Sequence, residues 1–139
     1  MNKTIIIIGT IIFFFSLLGY IQNIRNKKRL QKLNESRPNL TRTEYINRLV
    51  KKGFDKQHAE VVHNEIREFI QMDEFSIYPE DDIHKIYGIE DLDDIELIDK
   101  ICEKLNLRKA EQKDLDEVNK EIKLFNAEYI LTLTKNLAE

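Results

Sequence analysis

The sequence predicts an all-α protein in which a single transmembrane helix precedes a small helical bundle. Three observations support this fold class. The chain begins with an apolar run free of charged side chains, apolar residues recur every three or four positions through the remainder, and no convincing strand pattern is present. We divide the chain into a transmembrane helix with its basic flank over residues 1–29, a tether over 30–40 and an acidic bundle over 41–139.

The apolar run TIIIIGTIIFFFSLLGYI covers residues 4–21. At ~1.5 Å per helical residue it reaches roughly 27 Å, close to the ~30 Å hydrocarbon core of a bilayer. Backbone groups in lipid must pair internally, so the run should be helical. A cleaved signal peptide is the alternative, but the run is long for such a peptide and no small-residue cleavage site follows it. We therefore predict a retained single-pass anchor that contacts the lipid bilayer.

Basic residues follow the apolar run, whereas Lys3 alone precedes it. The flanking cluster consists of Arg25, Lys27, Lys28, Arg29 and Lys32. The positive-inside rule then places the C-terminal domain in the cytoplasm, and we expect the anchor to lie in the inner, cytoplasmic membrane. The cluster has two interpretations: it sets this topology alone, or it also binds anionic lipid headgroups at ~1 kcal/mol per basic residue.

Charge separates a basic neck from an acidic head. Residues 1–39 hold seven Lys and Arg and one Glu, a net charge of +6; because the whole chain carries −3, residues 40–139 carry −9. A head with this charge repels phosphate groups. We therefore expect no nucleic-acid partner and instead a protein partner with a basic surface.

The bundle is predicted to begin after Pro38, which interrupts helical structure. Thr41 and Glu44 have the spacing of a capping box, and Gly53 stands where a left-handed glycine ends a helix. The apolar side of this first helix comprises Tyr45, Ile46, Leu49 and Val50. Asp55 can cap a second helix that extends from residue 56 to about 72. Its inward positions are Ala59, Val62, Ile66, Phe69 and Ile70.

A loop with Pro79 follows, and then a single helical turn is predicted over residues 82–87, before Gly88. Asp91 is predicted to cap a third helix that extends to Leu105, because Asp is among the best N-cap residues. The apolar spacing predicts that one face of this helix lies against the core, and that face comprises Leu92, Ile95, Ile98, Cys102 and Leu105. A fourth helix is predicted from about residue 109 to 137. Its inward positions are Leu115, Val118, Ile122, Phe125, Tyr129 and Leu133.

The stretch IYPEDDIHKIYGIEDLDDIELIDKICEKLNL, residues 77–107, resembles the acyl carrier protein family. The order of helices over about 55–133 resembles the layout of that family as well. Asp91 stands where the family has the serine that carries the phosphopantetheine arm. The resemblance therefore implies a carrier-like bundle without a prosthetic group, because the phosphodiester needs a hydroxyl nucleophile. The chain departs from the family in an additional helix before the first carrier helix, and in the lack of an evident short third helix between Leu107 and Leu115.

Residue patterns typical of enzymes and metal sites are missing from the sequence. His58 and His63 fall on different helix faces, and the three histidines lack the HExxH and cysteine-pair spacings of zinc sites. The four glycines are isolated, so no Gly-rich phosphate loop is present. Cys102, the single cysteine, allows no intrachain disulfide and is interpreted as a buried thiol. We expect no metal, no cofactor and no enzymatic activity.

Two functions are compatible with these features. The first is a membrane-anchored, non-catalytic protein-interaction module, for which an immunity protein that binds a toxin is one form. The second is a scaffold or accessory carrier-like protein in fatty-acid, lipid or polyketide metabolism. The predicted interface consists of Asp91, Asp93, Asp94 and Glu96 around an exposable Leu97. The alternative is that these acids serve only solubility and the helix dipole; the first helix of the bundle, residues 41–52, is then the better candidate.

Overall fold

The computed structural model of the protein describes residues 2–139, apart from the side chain of Asp91, and this part of the chain is all-helical without a strand. The described helices are α1 (Lys3–Ser36), α2 (Arg42–Lys51), α3 (Lys56–Ile70), α4 (Ile83–Tyr87), α5 (Asp91–Lys104), α6 (Gln112–Glu121) and α7 (Ala127–Ala138). One compact unit ends at Arg37, and the other is the head, Pro38–Glu139. The predicted all-α class with one long apolar N-terminal helix is confirmed.

Helix α1 is a single continuous helix of 34 residues. It is long and apolar enough to cross a membrane, and none of its most apolar 18-residue window is buried within the protein. The hydroxyls of Thr10 and Ser16 donate to the carbonyls of Ile6 and Ile12 at 2.8 and 2.9 Å, so they are satisfied within the helix. Because α1 extends to Ser36, most of the predicted tether over residues 30–40 is helical.

Helix α2 begins and ends as its sequence predicts. The Thr41 hydroxyl accepts from the Glu44 amide at 3.2 Å while the Glu44 carboxylate accepts from the Thr41 amide at 2.8 Å, which completes the capping box. Gly53 follows the helix with φ of 94°, a left-handed value that suits glycine. The buried side chains of α2 are Tyr45, Ile46 and Leu49. Val50, predicted to face the core, is instead 41% exposed.

Helix α3 packs against α2, α5 and α7 and therefore forms the centre of the head. The Asp55 carboxylate caps it by accepting from the His58 amide at 3.0 Å, as predicted. The predicted inward residues Ala59, Val62, Ile66 and Ile70 are buried, and Phe69 is half-buried. His63 and Glu65 are buried beside them, although their polarity placed neither in the predicted core.

The segment between α3 and α5 contributes to the core as well. Phe75 and Ile77 in its loop are each 1% exposed. The Asp81 carboxylate accepts from the Tyr87 hydroxyl at 2.6 Å and from the Tyr78 amide at 3.1 Å, which ties this loop to α4. The turn predicted over residues 82–87 is confirmed, and it ends at Gly88 with φ of 69°.

Helix α5 is rotated about its axis relative to the prediction. The buried side chains are Leu97, Ile98, Ile101 and Cys102, whereas the predicted core residues Leu92 and Ile95 are 83% and 56% exposed. Both stripes contain Ile98 and Cys102, so spacing alone does not choose between them, and packing against α3 decides. The predicted cap is also shifted: Glu90 occupies the N-cap position without a side-chain capping bond, and Asp91 is the first helical residue.

The predicted fourth helix is two helices, α6 and α7, separated by residues 122–126. Asn126 caps α7 by accepting from the Tyr129 amide at 3.0 Å. The Phe125 carbonyl accepts from the Ile83 amide at 2.9 Å, so a backbone group freed by the break is paired with α4. At the other end of α6, Asp114 binds the Arg108 guanidinium and the Glu111 amide. These contacts hold the pKa of Asp114 well below its usual range.

Candidate interaction surface on helix α5

Two large apolar side chains project into solvent from the first two turns of α5. Leu92 is 83% exposed, the highest value for a large apolar residue in the described part of the chain, and Ile95 is 56% exposed. We refer to Leu92 and Ile95 as the apolar ridge. Exposed pairs of this kind, bordered by charged residues, are typical of interaction surfaces.

Open grooves flank the apolar ridge on both sides. The first has a volume of about 510 Å³ and lies between α4, α5, α6 and residues 122–126. Its apolar lining consists of Ile95, Ile98, Leu115, Leu124, Phe125 and Tyr129. The second groove, of about 500 Å³, runs along α5 and is lined by both ridge residues, Leu107 and several charged side chains. Because Ile95 lines both grooves, a docked partner can place apolar side chains on either side of it.

A histidine–carboxylate pair forms one wall of the first groove. His84 Nε2 hydrogen-bonds Asp94 Oδ2, and the His84 ring stacks on Phe125 with centroids 4.8 Å apart. Phe125 in turn meets the Tyr129 ring edge-on at 5.2 Å. Burial raises the pKa of the Tyr129 hydroxyl, with smaller effects from Asp116 and Asp94. These contacts join α4, α5 and the start of α7 around the groove.

Nothing in the sequence indicated this pair. His84 and Asp94 are ten residues apart and lie on different helices, separated by the Gly88 turn. No helical spacing brings such positions together. Predicting the pair requires the angle between α4 and α5, which the turn at Gly88 sets.

Acidic side chains surround the ridge, and some of them are already paired. Glu96 pairs with Lys100 at 3.0 Å, and Asp99 pairs with Lys109 at 2.9 Å. Each carboxylate raises the pKa of the lysine that it contacts. Glu90 is exposed at the N-cap position of α5. The surface at the start of α5 therefore keeps negative charge available to a partner.

The structure changes the set of predicted interface residues. Asp93 is half-exposed and Glu96 is exposed, so both lie at the surface as predicted. Asp94 is largely covered, with a side chain 16% exposed, and contacts His84. Leu97, predicted as the apolar anchor, is 1% exposed because it packs in the core, so that prediction is wrong. The predicted role of the Asp91 side chain lies outside the described residues.

The predicted membrane-flank residues lie on the second half of α1. All five are exposed and belong to α1, namely Arg25, Lys27, Lys28, Arg29 and Lys32. They lie on a helix that continues without interruption from the apolar run.

The side chains around the first groove are a mixture of apolar, charged and amide groups beside the His84–Asp94 pair. The described residues that line the groove include the amines of Lys85 and Lys123 and the hydroxyl of Tyr129, but no serine, threonine or cysteine. Cys102 is buried, and burial raises the pKa of its thiol. Among the described side chains, which do not include that of Asp91, no group of three His, Cys, Asp or Glu is placed to hold a metal ion.

Comparison with protein-family models, curated proteins and solved structures finds no match to this chain. The case for a function therefore rests on the geometry of α1 and of the head.

Proposed function

We propose that the protein is a membrane-anchored, non-catalytic interaction module whose head binds a protein with a basic surface through α5. The observation that carries the proposal is the exposure of Leu92 and Ile95 on a helix bordered by acidic side chains. Apolar anchors at the centre of an interface supply most of its affinity, while surrounding charges speed encounter and select the partner.

The anchor in this proposal is α1, inserted in the inner membrane with the head in the cytoplasm. Its length and apolar composition support insertion, and the basic residues that follow residue 21 support the orientation. Protease added to intact cells should then spare the head while an outward-facing marker is cut. Digestion of the head, with a cytosolic marker preserved, would reverse the orientation and remove a cytoplasmic partner from consideration.

The order of helices in the head supports a degenerate acyl-carrier-like fold. A long α3, a loop with the short α4, an acidic α5, and then α6 and α7 follow the layout that the resemblance implies. The short helix that was not evident in the sequence corresponds to α6, ten residues long. With Asp91 in the serine position, the head carries no phosphopantetheine arm. This order also favours the second candidate, a scaffold for enzymes that recognise carrier proteins.

Capture of the partner tests the interface directly. The full-length protein is solubilised from its own membranes and its partners are identified by mass spectrometry and then purified. Replacing Leu92 and Ile95 with serine should weaken binding of the purified partner by at least tenfold. Val50→Ser is the control, because Val50 is an apolar residue that is 41% exposed on another helix, α2. Unchanged affinity in the ridge variant, or an equal loss in the control, would refute docking on α5.

Charge reversal tests the chemistry of the partner. Changing Asp93 and Glu96 to lysine should slow association most at low salt, because exposed charges act over about a Debye length and are screened by ions. Each exposed pair contributes only ~0–1 kcal/mol, so the two substitutions are combined. A carrier-dependent synthase as the partner would favour the scaffold function, whereas an unrelated protein such as a toxin would favour the interaction module.

A further inference from the structure

Four basic side chains form a stripe along one face of α1, just beyond its apolar part. Arg25, Lys28, Arg29 and Lys32 follow the spacing i, i+3, i+4, i+7, and all are exposed. At ~100° per residue they fall within an arc of about 100°, while Lys27 lies on the opposite side of the helix. These four residues are the basic stripe. It exists because α1 remains helical through Ser36.

We propose that the basic stripe binds the phosphate groups of anionic phospholipids at the membrane surface. The inference rests on the proposed insertion of α1 in the bilayer. The apolar run ends at Ile21, and the stripe begins four residues later, roughly 6 Å farther along the helix axis at ~1.5 Å per residue. The headgroup layer adds ~5–8 Å to each side of the hydrocarbon core. Arg25 therefore lies at headgroup level, and the remaining stripe lies just beyond it.

The direction of the side chains brings the charged ends of the stripe toward that layer. In an α-helix every Cα–Cβ bond tilts toward the N-terminus, which in α1 is the direction of the apolar run. The Arg29 side chain extends in this direction, because its Nη2 donates to Oδ1 of Asn26, three residues nearer the apolar run, at 2.9 Å. Long basic side chains extend their charged ends along such a path to the interface.

The sequence that surrounds the stripe is strongly basic. Residues 1–34 contain no Asp or Glu, and Glu35 is the first acid in the chain. A cluster of four or more Lys and Arg beside a transmembrane helix is the pattern that attracts anionic lipid. Lys27 has the same charge as Lys28 and lies at nearly the same distance from the apolar run, but on the opposite side of the helix. It therefore provides a matched control for the stripe.

The test measures lipid binding to the full-length protein in detergent micelles by native mass spectrometry. Phosphatidylglycerol, which is anionic, is titrated in parallel with zwitterionic phosphatidylcholine. Lys28→Gln should lower the phosphatidylglycerol affinity about fivefold, which corresponds to ~1 kcal/mol per basic residue near an anionic surface. Lys27→Gln, with the same net charge, should lower it less than about twofold. Replacing all four stripe residues with glutamine should leave the two lipids equally bound.

Two results would overturn the proposal. One is equal binding of both lipids by the unaltered protein, and the other is an equal loss in Lys27→Gln and Lys28→Gln, which would make net charge alone responsible. Alkaline carbonate extraction of cell membranes is performed in parallel on the unaltered protein. Its release into the soluble fraction would refute the anchor itself, so failure of the proposed function is distinguished from failure of the stripe.

Discussion

His63 should make the stability of the head depend on pH between about 4 and 6.5. Its side chain is 3% exposed on α3, and its ring meets the Tyr45 ring edge-on at 4.7 Å. Burial lowers the pKa of His63 from 6.5 to about 4, and the charges of Arg67 and Arg42 contribute in the same direction. Nδ1 has no hydrogen-bond partner in the described part of the chain, so a proton there would be buried and unpaired.

The sign and size of the effect follow from proton linkage. Between the two pKa values the unfolded chain binds a proton at His63 that the folded chain does not, so stability falls as pH falls. With values of 6.5 unfolded and about 4 folded, the loss between pH 7 and pH 5 is about 2 kcal/mol. The loss approaches about 3 kcal/mol at pH 4 and changes little below it. Above pH 7 the residue contributes no pH dependence.

Comparison with His63→Phe isolates this contribution from that of the carboxylates. Phenylalanine keeps a ring against Tyr45 and removes the titrating group. The free energy of unfolding of the head is measured by urea titration of the full-length protein in nonionic detergent, followed by the near-ultraviolet circular dichroism of its tyrosines. The difference between the two proteins should change by about 2 kcal/mol from pH 7 to pH 5. A constant difference would refute the buried, neutral histidine, as would an NMR titration midpoint for His63 near 6.5.

Three further predictions use the same measurement of unfolding free energy. Lys104→Met should destabilise the head, because it removes the partner of the buried Glu65 carboxylate, and adding Glu65→Gln should recover most of that loss. Gly88→Ala should cost about 1 kcal/mol, since a Cβ is unfavourable at φ of 69°; no cost would mean that the turn has another conformation. Leu97→Ala should cost about 3 kcal/mol and Leu92→Ala less than about 0.5 kcal/mol, and reversed costs would restore the predicted register of α5.

Local signals in the sequence predicted the ends of several helices correctly. The capping box at Thr41, the cap at Asp55 and the left-handed Gly88 each act through backbone atoms within a few residues. Such signals need no knowledge of distant contacts. The break between α6 and α7 was missed because the apolar spacing continues through it, and because one freed carbonyl at the break, that of Phe125, is satisfied by an amide of α4.

The candidate surface was predicted only in part because it depends on which face of α5 is covered. Asp93 and Glu96 are at the surface under either register, so charge placed them correctly. Leu92 and Leu97 exchange roles between the two registers, and a sequence with apolar residues at both positions is compatible with either. Packing against α3 buries Leu97, and that contact is not encoded within α5 itself.

The contacts that hold α5 also suit it to present the apolar ridge. Near its first turn Asp94 binds His84 of α4, and in its last turn Lys104 binds the buried Glu65 of α3. Between them Leu97 and Ile101 are fixed in the core. A helix held at both ends loses little conformational freedom when a partner binds, so more of the contact energy appears as affinity. The Lys104→Met substitution lies at the end of α5 opposite the ridge, beside a groove between α3 and α5. If the proposed docking depends on this rigidity, Lys104→Met should weaken partner binding although Leu92 and Ile95 are unchanged. The control is Arg108→Gln, which lies outside α5 and removes a contact with Asp114 of α6, and it should leave partner binding unchanged.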